Sequence, residues 1–333
     1  MATNVNNNFN LVRICLSLVV FFYHIFALTQ NTQIAWFSGV FNADFAVKGF
    51  FAISGYLIMG SYSKSSSLSQ YLSKRFNRIY PAYFAVIFFS FLLGIIFTSL
   101  NFTDYLTNVG TFKYLLYNLF FFNTLQPSLP GVFNFNRINV LNGSLWTIKI
   151  EVCLYLLLPI ISYLYKKSNP YIITFAIYLL SVCWVIYFSM ISNNVNSSAY
   201  SRQFVGQLSY FILGAFMNVN RNISAKIPYI ILLILPVYLF LDKDIVRFSL
   251  QPIIYSLFVL YISVLPRFKY FNITKLGDIS YGIYLFHFPI IQVLIHIKIF
   301  EYNVYLGIIL ATIITFFFAF ISWNFIEKKF ILK

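Results

Sequence analysis

Arginine and histidine are costly inside an apolar helix, and this chain places both in its first one. Arg13 and His24 stand eleven residues apart in the run Leu11 to Leu28. At about 100° per residue that spacing is roughly 20° past three full turns. On a helix both side chains therefore share one face, about 16 Å apart along the axis. An ionisable side chain costs roughly 3 kcal/mol at the centre of a membrane helix, so each must meet a polar interior, a cavity or a partner. The chemistry open to such a face is proton transfer, because imidazole titrates near neutrality and can take the proton of an attacking hydroxyl. Each residue also has a structural reading, Arg13 as a snorkelling anchor and His24 as a hydrogen-bonded interior histidine. Their shared face favours a joint role.

Three further groups have the types that chemistry needs. Glu151 follows Lys149 by two residues at the start of a long apolar run. On a helix the two side chains point about 200° apart, so they serve different neighbours, and each has an ion-pair role as its structural alternative. Ser54 and Gly55 lie in mid-span within Gly49 to Leu57, where small residues allow helices to approach closely. Lys74, Arg75 and Arg78 precede Ile79-Tyr80-Pro81. They anchor the inner end of a span, and clustered guanidinium groups also suit phosphates. The cysteines, Cys15, Cys153 and Cys183, have unrelated positions inside apolar runs, which predicts buried thiols and neither a disulfide framework nor a metal site.

These residues must be held by membrane helices. Of 333 residues, 60% are hydrophobic and only 9% charged, and the mean hydropathy is +0.79, too apolar for a water-soluble globule of this size. Hydropathy predicts an all-α bundle of about ten spans near 11–28, 46–62, 79–100, 144–165, 170–191, 204–218, 227–241, 249–265, 276–297 and 304–326. The first follows a short polar segment, carries two ionisable residues and has no small-residue cleavage site after it, so it reads as a retained helix and not as a signal peptide.

The net charge of +15 is a topology signal. With both termini cytoplasmic, Arg13, Lys64, Lys74, Arg75, Arg78, Lys166, Lys167, Arg221, Lys226, Arg267, Lys269, Lys275, Lys328, Lys329 and Lys333 fall on the inner side. Asp44, Asp104, Glu151, Asp242, Asp244 and Glu301 fall on the outer half. That asymmetry explains the basic excess without nucleic acid. No repeat or linker is visible, so residues 1–333 are expected to form one membrane domain, with no soluble domain after Lys333. Two connections stand out: an inner loop, Ser63 to Arg78, and an outer segment, Asn101 to Gly143. The latter contains an apolar piece, Tyr114 to Phe122, that is too short to span and is expected to be interfacial or re-entrant.

Taken in order, these segments resemble the membrane acyltransferase 3 family, the integral-membrane O-acyltransferases of bacterial surface polysaccharides. The resemblance covers most of the chain. It is carried by Arg13 and His24, by Phe50 to Leu57, by Lys74 to Pro81, by Ser144 to Glu151, by Ser280 to His287 and by the end of the last helix, Phe325-Ile326-Glu327-Lys328. It implies a ten-helix bundle of the bacterial inner membrane that moves an acyl group, usually acetyl, from cytoplasmic acyl-CoA to a sugar hydroxyl. The acceptor it implies is a lipid-linked or nascent polysaccharide such as an O-antigen. Acetyl-CoA is then a substrate, and no cofactor is permanently bound.

The same resemblance makes His24 catalytic with Glu151 as an acidic partner at the acceptor end, and puts Arg13, Ser54, Lys74, Arg75 and Arg78 near the acyl-CoA. Trp146, Tyr284 and His287 belong to its motifs, with a hydrogen-bonding role for His287 as open as a catalytic one. Lys48, Lys149 and Pro127 to Phe133 look like the O-antigen and exopolysaccharide acetyltransferase branch. Whether His24 acts as a base or carries the acyl group itself is open. A transporter or flippase of lipid-linked sugars is the second reading. It predicts paired Gly/Pro-interrupted helices in the two halves of the chain, which are not seen.

Overall fold

The computed structural model describes residues 7–222, 227–240, 243–265 and 277–331. Met1 to Asn6 and five residues of the inner-side count, Lys226, Arg267, Lys269, Lys275 and Lys333, lie outside them. Among the described residues the chain is helical, and an isolated antiparallel bridge, Thr98 to Val132, is its one β pairing. The longer helices are α1 (Phe9–Thr29), α2 (Ala43–Ser63), α3 (Leu68–Phe97), α4 (Val109–Leu119), α5 (Trp146–Lys167), α6 (Pro170–Ile186), α7 (Phe204–Val219), α8 (Ile227–Phe240), α9 (Asp244–Val264), α10 (Ser280–His296) and α11 (Val304–Ile321).

A helix stands at each expected span, and α4 takes in Tyr114 to Leu119 of the apolar piece that is too short to cross. Seven helical stretches among the described residues are long and apolar enough to traverse a bilayer: α1, Thr32–Ser63, α3, α5, Pro170–Ile191, α9 and Val304–Ile331. The other three apolar helices at expected spans, α7, α8 and α10, have 16, 14 and 17 residues. The cysteines correct the expectation: Cys15, Cys153 and Cys183 are all exposed. The outer surface of a membrane bundle is itself apolar, so a thiol within an apolar run need not face inward.

The chain divides into two compact units, each drawn from separated segments. The first comprises residues 1–13, 44–71 and 150–272; the second comprises 14–43, 72–149 and 273–333. In the first unit α2 and α7 cross through glycines. A Cβ on Gly55 would run into the Phe211 carbonyl, and one on Gly214 would run into the Ala52 carbonyl. Gly55 is thus a packing residue, the small-residue approach that membrane helices use. Gly55→Leu is expected to cost about 3 kcal/mol and to lose monodisperse protein in detergent, because rigid backbone cannot move aside. Gly39→Ala, at a site with nothing within 4 Å, should leave size-exclusion profiles unchanged.

In the second unit α10 is the axis. All its residues from Ser280 to Gln292 are buried, as a helix apolar on every side must be. Gly282 lies against Ala319 of α11, and Ile14, Ile279, Ile283 and Ala319 form a continuous apolar cluster.

Prolines open polar positions inside both units. Pro159 and Pro289 lie within α5 and α10. A proline has no N–H for the carbonyl four residues earlier, so that carbonyl needs another donor inside a membrane helix. The Tyr71 hydroxyl donates to the Tyr155 carbonyl at 2.9 Å, and the Asn142 side chain donates to the Leu285 carbonyl at 2.8 Å.

Candidate active site

The second unit brings together two histidines that are 263 positions apart. His24 Nδ1 lies 2.8 Å from His287 Nε2, and His287 Nδ1 lies 3.0 Å from the Ile283 carbonyl. A carbonyl only accepts, so His287 carries its proton on Nδ1 and presents a lone pair at Nε2. His24 must then donate from its own Nδ1, which leaves its Nε2 unprotonated. The chain of hydrogen bonds thus selects the tautomer in which His24 Nε2 keeps its lone pair. His287 is fully buried, packed edge-on against Phe21, while His24 is half-buried against Phe288. A hydrogen-bonded imidazole with one unprotonated nitrogen can accept a proton from a hydroxyl or attack an acyl carbon.

Next to this pair, the Ser144 to Trp146 motif is tied to α10. The Ser144 hydroxyl donates to Asn142 Oδ1 at 2.6 Å, and the Tyr284 hydroxyl reaches the Ser144 carbonyl at 3.1 Å. The hydroxyls of Thr147 and Tyr284 are 2.6 Å apart. Further along α10, Gln292 donates to the carbonyls of Ile138 and Val140 at 2.7 and 2.6 Å. The segment Asn101 to Gly143 is therefore stitched to the helix that carries His287.

Arg78 has a different setting from the phosphate site its sequence suggests. Its guanidinium donates to Asp278 at 2.5 Å and lies 3.9 Å from Glu327. Ser280 donates to Asp278 at 2.5 Å, and Ser322 donates to Glu327 at 2.9 Å. Glu327 ends a π turn, Ser322–Glu327, that continues α11. Gly277, at φ +72°, permits the turn before α10, where any Cβ would strike the Trp323 indole. Lys74 is exposed and Arg75 half-buried on the same helix.

In the first unit Glu151 accepts hydrogen bonds from Ser54, at 3.2 Å, and from Tyr155. The Ser54 hydroxyl is thereby committed to a carboxylate. Lys48 pairs with Asp44 one turn before it, donates to Gln251 at 2.9 Å and lies over the Tyr210 ring at 5.4 Å. Arg13 is half-buried in α1, and Trp146 and Lys149 are half-buried at the start of α5.

Sequence reasoning missed Asp278, Asn142, Gln292 and Tyr155, and gave Glu327 no role. A signal existed for the acids. With only eight Asp and Glu in the chain, one at the end of an apolar helix needs a cation. Asn142 and Gln292 gave none, since an amide's partner is set by the fold.

Among the described residues the chain has helices long and apolar enough to cross a membrane, and its second unit holds a hydrogen-bonded imidazole pair, the marks of a membrane protein with a polar interior position. The chain belongs to the acyltransferase 3 family: the acyltransferase domain matches residues 6–324. An O-acetyl transferase of Shigella phage Sf6 is 26% identical over 98% of this chain and 97% of its own length. Nodulation protein 10 of Rhizobium leguminosarum bv. viciae is 29% identical over 48% of this chain and 45% of its own. No solved structure matches the chain.

Proposed function

We propose that this acyltransferase moves an acetyl group from cytoplasmic acyl-CoA to a hydroxyl of a bacterial surface polysaccharide, with His24 as the base. The observation that carries the reading is the hydrogen-bond chain from Ile283 through His287 to His24, within a chain of this family. His24 Nε2 takes the proton of a sugar hydroxyl as its oxygen attacks the thioester carbonyl. The C–S bond then breaks and the proton passes from His24 to the leaving CoA sulfur. Acetyl carried briefly on Nε2 is the variant of this route that the same lone pair permits. In the proposed topology all ten apolar helices cross the inner membrane and both termini are cytoplasmic.

Arg13, Lys74 and Arg75 meet the donor's phosphates at the inner face. Arg78 serves this end indirectly, by holding Asp278 and Glu327. No resident cofactor takes part, and the acceptor is a lipid-linked or nascent glycan such as an O-antigen. The full-length similarity to an O-acetyl transferase supports acetyl as the group moved, over the transport of lipid-linked sugars. Surface polysaccharide from cells with and without the gene should differ by the mass of one acetyl per repeat. Identical masses would overturn the assignment, and the position of the added group would name the acceptor hydroxyl.

A further inference from the structure

The first unit contains a polar cavity of about 560 Å³, within the range of about 300 to 1,000 Å³ typical of small-molecule sites. Lys48, Arg202, Gln207, Tyr210, Phe248 and Gln251 line it, together with serines of the segment between α6 and α7. Its construction is specific. Gly206 lets that segment lie directly on α7, since a Cβ there would strike the Ser201 carbonyl. Trp184 donates to the Tyr200 carbonyl at 2.9 Å and fixes the segment from below.

Two of the lining groups lack partners. Gln207 is only 3% exposed, and its amide nitrogen donates to the Arg202 carbonyl at 3.0 Å. That bond fixes the amide orientation, and Oε1 is left buried with no donor. A buried acceptor without a partner is destabilising, and a ligand O–H can satisfy it. Arg202 is exposed and has no acidic partner among the described residues, because Asp44 is occupied by Lys48. It offers five N–H donors to ligand oxygens. Gln251 accepts from Lys48 and from Tyr210, the latter at 3.2 Å, and donates to Tyr255 at 3.2 Å, so this wall is already set.

We propose that this cavity binds a sugar unit of the acceptor glycan, its hydroxyls donating to Gln207 Oε1 and its oxygens accepting from Arg202. A polyhydroxylated ring is the ligand class that needs donors and acceptors at once, with an aromatic flank for its C–H face. The inference rests on the acyl-transfer reading for the identity of the glycan. The same charge count that puts both termini inside puts Asp44 and Arg202 on the outer side, where such a glycan would be met.

The test uses full-length protein in detergent, without acyl-CoA, titrated calorimetrically with repeat-unit oligosaccharide from alkali-deacetylated polysaccharide of the strain that carries the gene. Wild type should bind. Gln207→Leu and Arg202→Gln should each weaken binding about 10-fold, equivalent to roughly 1.4 kcal/mol. Arg202 is exposed, so its variant remains informative if Gln207→Leu fails to fold.

Wild-type affinity in Arg202→Gln, or in a folded Gln207→Leu, would overturn the site, as would absence of binding to wild type. Displacement of the oligosaccharide by acetyl-CoA would overturn it too, by making the cavity a donor site. Oligosaccharide binding that both variants weaken, in a protein that transfers no acetyl, would uphold the cavity and overturn the proposed function instead.

Discussion

Cells whose only copy carries His24→Ala are expected to make surface polysaccharide without the acetyl group, while the protein inserts in the membrane at wild-type abundance. A positioned general base contributes about 10²- to 10⁴-fold to such a transfer, and alanine leaves no group at that position to accept the hydroxyl proton. The companion variants separate chemistry from positioning. His287→Leu removes the acceptor for His24 Nδ1–H, so His24 loses both its orientation and its selected tautomer. A misplacement of about 1 Å costs on the order of 100-fold, and the loss should fall on kcat with little change in the KM for acetyl-CoA.

His287→Gln can still present an acceptor to His24 and should restore part of the rate. If His287→Leu were as active as wild type, the histidine pair would be packing alone. Normal acetylation in His24→Ala would remove His24 from the mechanism altogether.

The second large effect is on folding. Arg78→Ala would take from Asp278 and Glu327, 8% and 1% exposed, the guanidinium that pairs with them. Removing one partner of a buried ion pair costs about 3–5 kcal/mol, mostly because the remaining charge is stranded. The expected result is a sharply lower melting temperature in detergent, followed by fluorescence-detected size exclusion. Adding Asp278→Asn and Glu327→Gln to Arg78→Ala should recover much of the loss, since neutral amides need no counter-charge. An unchanged melting temperature with weakened acetyl-CoA binding would instead make Arg78 a donor-site residue. That outcome would restore the reading its place in the basic run suggests.

Much of this protein was legible before its fold. Hydropathy located the apolar helices because a bilayer imposes a length and an apolar face that any span must satisfy. The cost of burying charge marked Arg13, His24 and Glu151 as residues in need of a polar setting, and the order of motifs named the family. Gly55 was already open to a packing role, and its contact with the Phe211 carbonyl fills it.

Partnership was not legible. His24 read as an isolated histidine on one helix face, and only the packing of α10 against it supplied the acceptor that makes its Nε2 basic. Arg78 belonged by sequence to an anion-binding run, yet the turn at Gly277 and the π turn at Glu327 bring two carboxylates to it. Gln207 and Arg202 were unremarkable in the chain and come together only where four helices leave a cavity. The physical reason is common to all three. Which residue must be satisfied is a local property of charge and hydrogen-bonding capacity, readable one position at a time. Which group satisfies it depends on contacts between segments far apart in the chain, 203 residues for Lys48 with Gln251 and 263 for His24 with His287.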